Sequence, residues 1–103
     1  MIDFSKITPV THYVTGEASF AALKKAVDEL VSFAPEDHDV LIAAFNVFVT
    51  KVRYIEPHTF IFRGFNNEGH NTSVVCHYSQ LLAHVVYLPK RGPEKVIVGF
   101  AQK

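Results

Sequence analysis

Apolar residues recur at helical spacing in the first third of the chain. Successive members lie three, four, three and four residues apart, which places them on one face of a helix: Phe20, Leu23, Val27, Leu30 and Ala34. Thr15 precedes the stretch as an N-cap, and Glu17 falls in the first turn, where a carboxylate suits the helix dipole. Pro35 disfavours helical geometry at the residue before it. The pattern predicts a helix that begins at Thr15 and ends before Pro35.

The next apolar pattern is ambiguous between helix and strand. Leu41, Phe45, Phe48, Val52 and Ile55 again repeat at helical intervals. Residues 47–55 are also dense in β-branched and aromatic types, which favour strands. We predict a helix over about residues 36–53, because a helical period held over fifteen residues rarely arises by chance. Two helices joined at a proline then form an antiparallel αα-hairpin.

From His58 onward the pattern changes to short apolar strands separated by turn residues. Strands are predicted at 58–65, 72–78, 83–88 and 95–101, with loops at 66–71 and 89–94. Residues 10–14 favour a further short strand. The expected fold class is α+β, as one domain over residues 1–103. Its two layers are the αα-hairpin and a four-stranded antiparallel meander with a short N-terminal strand.

Strand alternation predicts that this sheet has two apolar faces. One face is large and apolar enough to pack under the helices, with Ile61, Phe65, Val74 and Cys76 among its members. Pairing Phe65 with Thr72 and Ser79 with Leu82 brings three histidines and two phenylalanines together on the other face. That face is too apolar for water alone, so we expect it to bind a partner. The predicted binding residues are His58, Phe60, Phe62, His77 and His84 on this face, with Asn66, Asn67, Glu68 and His70 in the adjoining loop.

Composition limits the classes of partner. Apolar residues make up 49% of the chain and the formal net charge is zero, so we expect a folded domain that binds neither nucleic acid nor membrane. The charge is unevenly divided, because residues 1–39 carry three Lys against seven acids and residues 40–103 carry seven basic groups against three acids. Cys76 is the only cysteine and is predicted to be a buried, inert thiol. No secretory signal is apparent, and a cytoplasmic location is expected.

The residue types suggest three further chemistries beside protein binding. Imidazoles on adjacent strands can ligate zinc, but no Cys or acid completes a set on the histidine face, so we predict no metal and no cofactor. The basic strip Lys51, Arg53 and Arg63, with Tyr54 and Phe65, is typical of a single-stranded nucleic-acid contact. Histidine can also serve as a general acid or base, with a basic side chain holding a phosphate.

The order strand, helix, helix and meander resembles the RelE/ParE toxin fold, whose RelE-type members cleave mRNA on the ribosome. The resemblance implies a ribonuclease. The residues themselves offer sheet histidines for acid–base catalysis and Arg63, Lys90 or Arg91 to hold a phosphate. This chain is neutral, whereas those toxins are usually strongly basic.

The leading hypothesis is a small non-enzymatic protein–protein interaction module of the regulator or inhibitor type, of a size found in phage and mobile-element proteins. It acts through the exposed sheet face and the 66–71 loop, with a protein partner, and as a homodimer. The alternative is the RelE/ParE-like ribonuclease toxin.

Overall fold

The computed structural model describes residues 15–102, in which one helix packs on a six-stranded sheet. Helix α1 is Gly16–Val31. The strands are β1 His38–Ala44, β2 Val47–Ile55, β3 Thr59–Phe65, β4 Asn71–His77, β5 His84–Pro89 and β6 Gly99–Gln102. The predicted α+β class is confirmed, but the αα-hairpin and the four-stranded meander are wrong. The predicted strand at residues 10–14 lies outside the described residues.

Helix α1 begins where its capping signal predicts. Thr15 has extended backbone geometry, and its side-chain oxygen accepts a hydrogen bond from the Ala18 N–H at 3.0 Å. Phe20 and Val27 of the apolar stripe are buried against the sheet, and Leu23 is partly buried there. Local capping and periodicity therefore suffice to define this helix.

The predicted helix over residues 36–53 is wrong, because β1 and β2 form a hairpin there. Phe45 and Asn46 make a two-residue turn in which both have positive φ, 53° and 63°, the geometry that a tight hairpin needs. The pairing of β2 with β3 shifts between Val49 and Lys51, which marks a bulge at Thr50. This extra residue breaks the two-residue alternation of β2, so the strand period is hidden in the sequence.

The strands follow the order β4-β3-β2-β1-β5 across the sheet. β1 and β2 pair directly only beside their turn, from Ala44↔Val47 to Ile42↔Val49. Farther from the turn the C-terminal segment lies along both strands: Val40 bridges Ile97, and β6 pairs with β2 in parallel. The last strand is therefore not a meander neighbour of β5. Within the described residues the helix–helix–meander order behind the RelE/ParE resemblance is absent.

The helix-facing side of the sheet, here called the inner face, contains Phe60 and Phe62. Both are 0% exposed, and the Phe20 ring of α1 meets Phe60 edge-on at 6.1 Å between centroids. The expectation that these two phenylalanines lie on a bare face is wrong. The physical reason is register, because Phe60 pairs with Cys76 and not with His77, and a one-residue slip moves every side chain to the other face.

The opposite side, here called the outer face, is exposed over β2, β3 and β4. Register places the outward side chains of these strands there: Lys51, Arg53, Ile61, Arg63, Phe65, Ser73, Val75 and His77. On β1 the outer face is not exposed at Asp39, because this side chain is buried and its carboxylate accepts a hydrogen bond from the Val96 N–H at 2.8 Å. The surface that the fold leaves open is thus cationic as well as apolar.

Candidate functional site

Two of the three predicted histidines lie together. The His58 and His77 rings are 5.2 Å apart between centroids, and the Tyr78 ring lies 4.5 Å from His77 and 5.6 Å from His58. His84 begins β5 at the opposite edge of the sheet, with three strands between β5 and β4. The expected row of three histidines is therefore wrong, because the chain makes a 3-10 turn at 78–80 and crosses to the other edge. No group of three or more His, Cys, Asp and Glu residues within 15–102 is arranged to hold a metal ion.

His77 has a structural task at the end of β4. Its Nδ1 accepts a hydrogen bond from the Ser79 N–H at 3.1 Å and lies 2.7 Å from the Ser79 hydroxyl. Its own N–H points away from β3 and donates to Oε1 of Gln80 at 2.8 Å. These bonds make a reciprocal cap on the 3-10 turn. The ring is held by this cap, so the histidine cannot swing freely towards a distant substrate.

The loop between β3 and β4, residues 66–70, is held by its own hydrogen bonds. The Asn66 side-chain oxygen accepts from the Glu68 N–H at 2.9 Å and from the His70 N–H at 3.0 Å. Gly69 has a φ of 80°, which favours glycine. Asn67, Glu68 and His70, all predicted binding residues, are exposed on this ordered loop. A preorganised loop loses little entropy when it binds.

An apolar cleft lies at the turn end of the β1–β2 hairpin. It encloses about 390 Å³ and includes two predicted binding residues, Asn67 and His84. Phe45 and Leu82, which also line it, are 42% and 76% exposed. Sequence patterns give no reason to place these two side chains together, because they predict that Leu82 pairs with Ser79 across a two-residue hairpin turn.

β4 forms one edge of the sheet, and its backbone groups alternate in direction. The Tyr78 N–H donates to the His58 carbonyl at 2.9 Å, in continuation of the β3–β4 register. Bonded and non-bonded pairs alternate in an antiparallel ladder. The even-numbered residues of β4 therefore bond to β3, while Ser73 and Val75 direct their N–H and C=O groups away from the sheet.

The edge of β4 lacks the features that usually protect an edge strand. It carries no Lys, Arg, Asp, Glu or Pro, and its pairing with β3 runs without a bulge from Asn71 to His77. Val75 in its second half is 68% exposed. In the described part of the chain no strand pairs with the outward groups of β4.

A groove of about 480 Å³ opens beside β4, here called the cationic groove. Three cations from three different segments line it, Lys51 of β2, Arg63 of β3 and Arg91 of the loop after β5. The remaining lining residues are uncharged: Thr50, Gly64, Phe65, Asn71, Thr72 and Ser73. The described residues of the groove thus contribute three positive groups and no carboxylate.

The sequence-derived basic strip is only partly present in this groove. Lys51, Arg63 and Phe65 do line it. Tyr54 instead is buried on the inner face, where its hydroxyl donates to the Pro57 carbonyl at 3.0 Å and burial raises its pKa. Strand patterns could not predict that Arg91 lines this groove, because it belongs to the loop after β5, which is distant in sequence from β2 and β3.

Cys76 is buried on the inner face, as the sequence predicts. Burial raises the pKa of its thiol, because the thiolate would lose its hydration there. The thiol therefore packs as a small apolar group in the described structure.

Comparisons with protein-family models, with curated proteins and with solved structures found no match to this chain. Among the described helical residues, none form a segment both long and apolar enough to span a membrane.

Proposed function

We propose that the protein is a small non-enzymatic protein–protein interaction module of the regulator or inhibitor type, which binds by strand addition at β4 and works as a homodimer. The observation that carries this proposal is the unprotected edge of β4, which has no charge, proline or bulge. Extended edges of this kind accept another strand, whose backbone groups satisfy the outward N–H and C=O groups.

The occupant that this edge fits is the β4 strand of a second copy. Asn71, Ser73 and Val75 share one backbone direction, so an antiparallel pair centred on Ser73 matches 71 with 75, 73 with itself, and 75 with 71. The uncharged edge brings no like charges together. About six backbone hydrogen bonds at roughly 1 kcal/mol each give a dissociation constant on the order of tens of micromolar when side-chain contacts along the paired strands offset the entropy cost of association.

Amide hydrogen exchange tests this proposal at single residues. We expect the Ser73 and Val75 amides to exchange slowly at about 1 mM protein and quickly at about 10 µM, since these concentrations bracket the expected dissociation constant. The Val74 amide, which bonds to β3, is the internal control and stays protected at both concentrations. Exchange at Ser73 and Val75 that does not depend on concentration would contradict pairing through β4.

The loop residues Asn66, Asn67, Glu68 and His70, with His84 beside the apolar cleft, stay predictions for contacts with a further protein partner. The ordered backbone of the loop supports this role. Truncating the exposed side chains of Asn67, Glu68, His70 or His84 should leave the fold unchanged and lower affinity for that partner. Asn66 also holds the loop through its side-chain oxygen, so its truncation should loosen the loop as well.

The RelE/ParE-like ribonuclease stays a prediction with weaker support. The described lining residues of the cationic groove include no histidine or carboxylate. His77 lies four residues along β4 from Ser73, about 13 Å. A ribonuclease would cause growth arrest on expression, and His77→Ala or Arg63→Ala would abolish that arrest. Normal growth with the wild-type chain would argue against this activity.

A further inference from the structure

We propose that the cationic groove binds the phosphate group of a small organic phosphate. The groove would use the side chains of Asn71 and Ser73, whereas strand addition uses their outward backbone groups, so the inference goes beyond the proposed function and does not depend on it. The proposal rests on one observation: three cations from three segments line the same groove, and the other described lining residues are uncharged.

Lys51 and Arg63 stand directly opposite each other on β2 and β3. Like charges at this position repel and destabilise an antiparallel pair. The only ion pair in the described residues joins Asp37 and His38, so no carboxylate among residues 15–102 forms an ion pair with Lys51 or Arg63. An anion held between the two side chains would remove it.

The local backbone fixes the two strands at this place. The bulge at Thr50 lets its hydroxyl donate to the Arg63 carbonyl at 3.2 Å. Gly64 lies against the backbone of Phe48 so closely that a Cβ would overlap the Phe48 carbonyl oxygen. The spacing between Lys51 and Arg63 is therefore set by rigid backbone contacts and not by side-chain packing.

Arg91 is positioned by an aromatic stack. Its guanidinium carbon lies 3.8 Å from the centroid of the Phe65 ring, and the other neighbour of that ring is Phe48 at 5.5 Å. Stacking orders a guanidinium and leaves its N–H groups free at the edge for an anion. Lys90 and Lys95, by contrast, already donate to the carbonyls of Pro93 and Pro35.

The size and charge of the groove favour a phosphate on a small molecule. A volume of about 480 Å³ falls in the range of small-ligand sites, which is roughly 300–1,000 Å³. One arginine satisfies a carboxylate, whereas three cations with the Ser73 hydroxyl and the Asn71 amide suit the several oxygens of a phosphate dianion. Nucleic-acid surfaces extend farther and are usually strongly basic, while this chain has no net charge.

Titration of the full chain with pyrophosphate and with adenosine monophosphate, followed by calorimetry and by amide chemical shifts, tests the proposal. We expect saturable binding, with the shifts concentrated at Lys51, Phe65 and Ser73. Arg63→Gln and Arg91→Gln should each weaken binding by about tenfold, the effect of one charge-assisted hydrogen bond. Arg53→Gln is the matched control on the same strand face as Lys51, and about a twofold effect is expected from its long-range charge.

A second variant separates binding from stability. Lys51→Glu replaces a like-charge pair by an opposite pair, so the melting temperature should rise while phosphate binding is lost. The proposal is overturned by the absence of saturable binding up to about 10 mM pyrophosphate, by retained binding in Lys51→Glu, or by equal losses in Arg53→Gln and Arg63→Gln. Tighter, steeply salt-dependent binding of an oligothymidylate than of pyrophosphate would also overturn it, because that result identifies a nucleic-acid surface.

Discussion

Replacing Gly64 by alanine tests the contact that fixes β3 against the bulge of β2. An added Cβ would overlap the Phe48 carbonyl oxygen, and it would lie 2.8 Å from the Phe48 carbonyl carbon and 2.9 Å from the Val49 Cα. All three atoms belong to the backbone, so no side-chain rotation can relieve the overlap. The two strands must separate beside the bulge.

The expected loss can be estimated from the affected contacts. Overpacking of this kind costs about 1–3 kcal/mol, and one or two weakened ladder hydrogen bonds add about 1 kcal/mol each. Alanine also lowers the conformational entropy of the unfolded chain, which stabilises the variant by about 0.5 kcal/mol. We therefore expect the free energy of unfolding to fall by about 3 kcal/mol, which lowers the melting temperature by roughly 12–24 °C.

Urea unfolding followed by circular dichroism measures this change. Gly99→Ala is the matched control in β6, because the nearest atom to its added Cβ is the Thr50 carbonyl oxygen at 4.0 Å. Its free energy of unfolding should change by less than about 1 kcal/mol. A Gly64→Ala variant as stable as Gly99→Ala would refute the close approach of β3 to β2.

Three further predictions concern the core, the outer face and the thiol. Phe60→Ala should lower the free energy of unfolding by about 3–5 kcal/mol, whereas Val75→Ala should change it by less than about 0.5 kcal/mol. If denaturation curves show the same loss of stability for both variants, Phe60 is not in the core. Lys51→Glu should raise the free energy of unfolding by about 0.2–1 kcal/mol through its new opposite-charge pair with Arg63, and a loss in the same assay would contradict the register. Burial disfavours the thiolate of Cys76 in the fold, so iodoacetamide should label this residue slowly until urea unfolds the chain; rapid labelling of the folded protein would place the thiol at the surface. Because folding raises the pKa of this thiol, the free energy of unfolding should decline as the pH rises above the unfolded thiol pKa of about 8.5.

Local signals in the sequence predict part of this fold. The Thr15 cap and the stripe with Phe20 and Val27 predict α1, because both depend on residues within a few positions of one another. Composition also predicts β3, β4 and β5 to within a residue or so at most ends. These elements have turn residues at their ends and few competing patterns.

The β1–β2 hairpin could not be predicted because two irregular features conceal it. Its turn uses Phe45 and Asn46 at positive φ without the glycine that marks such turns. The bulge at Thr50 removes strict alternation from β2. The remaining apolar spacing coincides with a helical period, so tertiary pairing overrides the sequence pattern.

The site depends on pairing between distant segments, which strand patterns do not contain. Phe60 lies on the inner face and not on the predicted outer face, because the register differs from the predicted one by a single residue. His84 lies at the far edge, because the chain crosses the sheet after Gln80. Lys51, Arg63 and Phe65 of the basic strip inferred from the sequence do line the cationic groove. The stack of Arg91 on Phe65 required the three-dimensional path of the loop after β5.

The most direct test of strand addition at β4 is sedimentation of the untagged chain over about 10–500 µM, a range chosen around the expected dissociation constant. Val75→Pro removes one outward N–H and leaves the hydrogen bonds to β3 in place, and Val75→Thr keeps that N–H on a side chain of similar shape. We predict a shift from monomer to dimer with rising concentration for the wild type and Val75→Thr. Val75→Pro should stay a monomer throughout, with unchanged circular dichroism. A wild-type monomer across the whole range, or a Val75→Pro variant that still dimerises, would contradict the account.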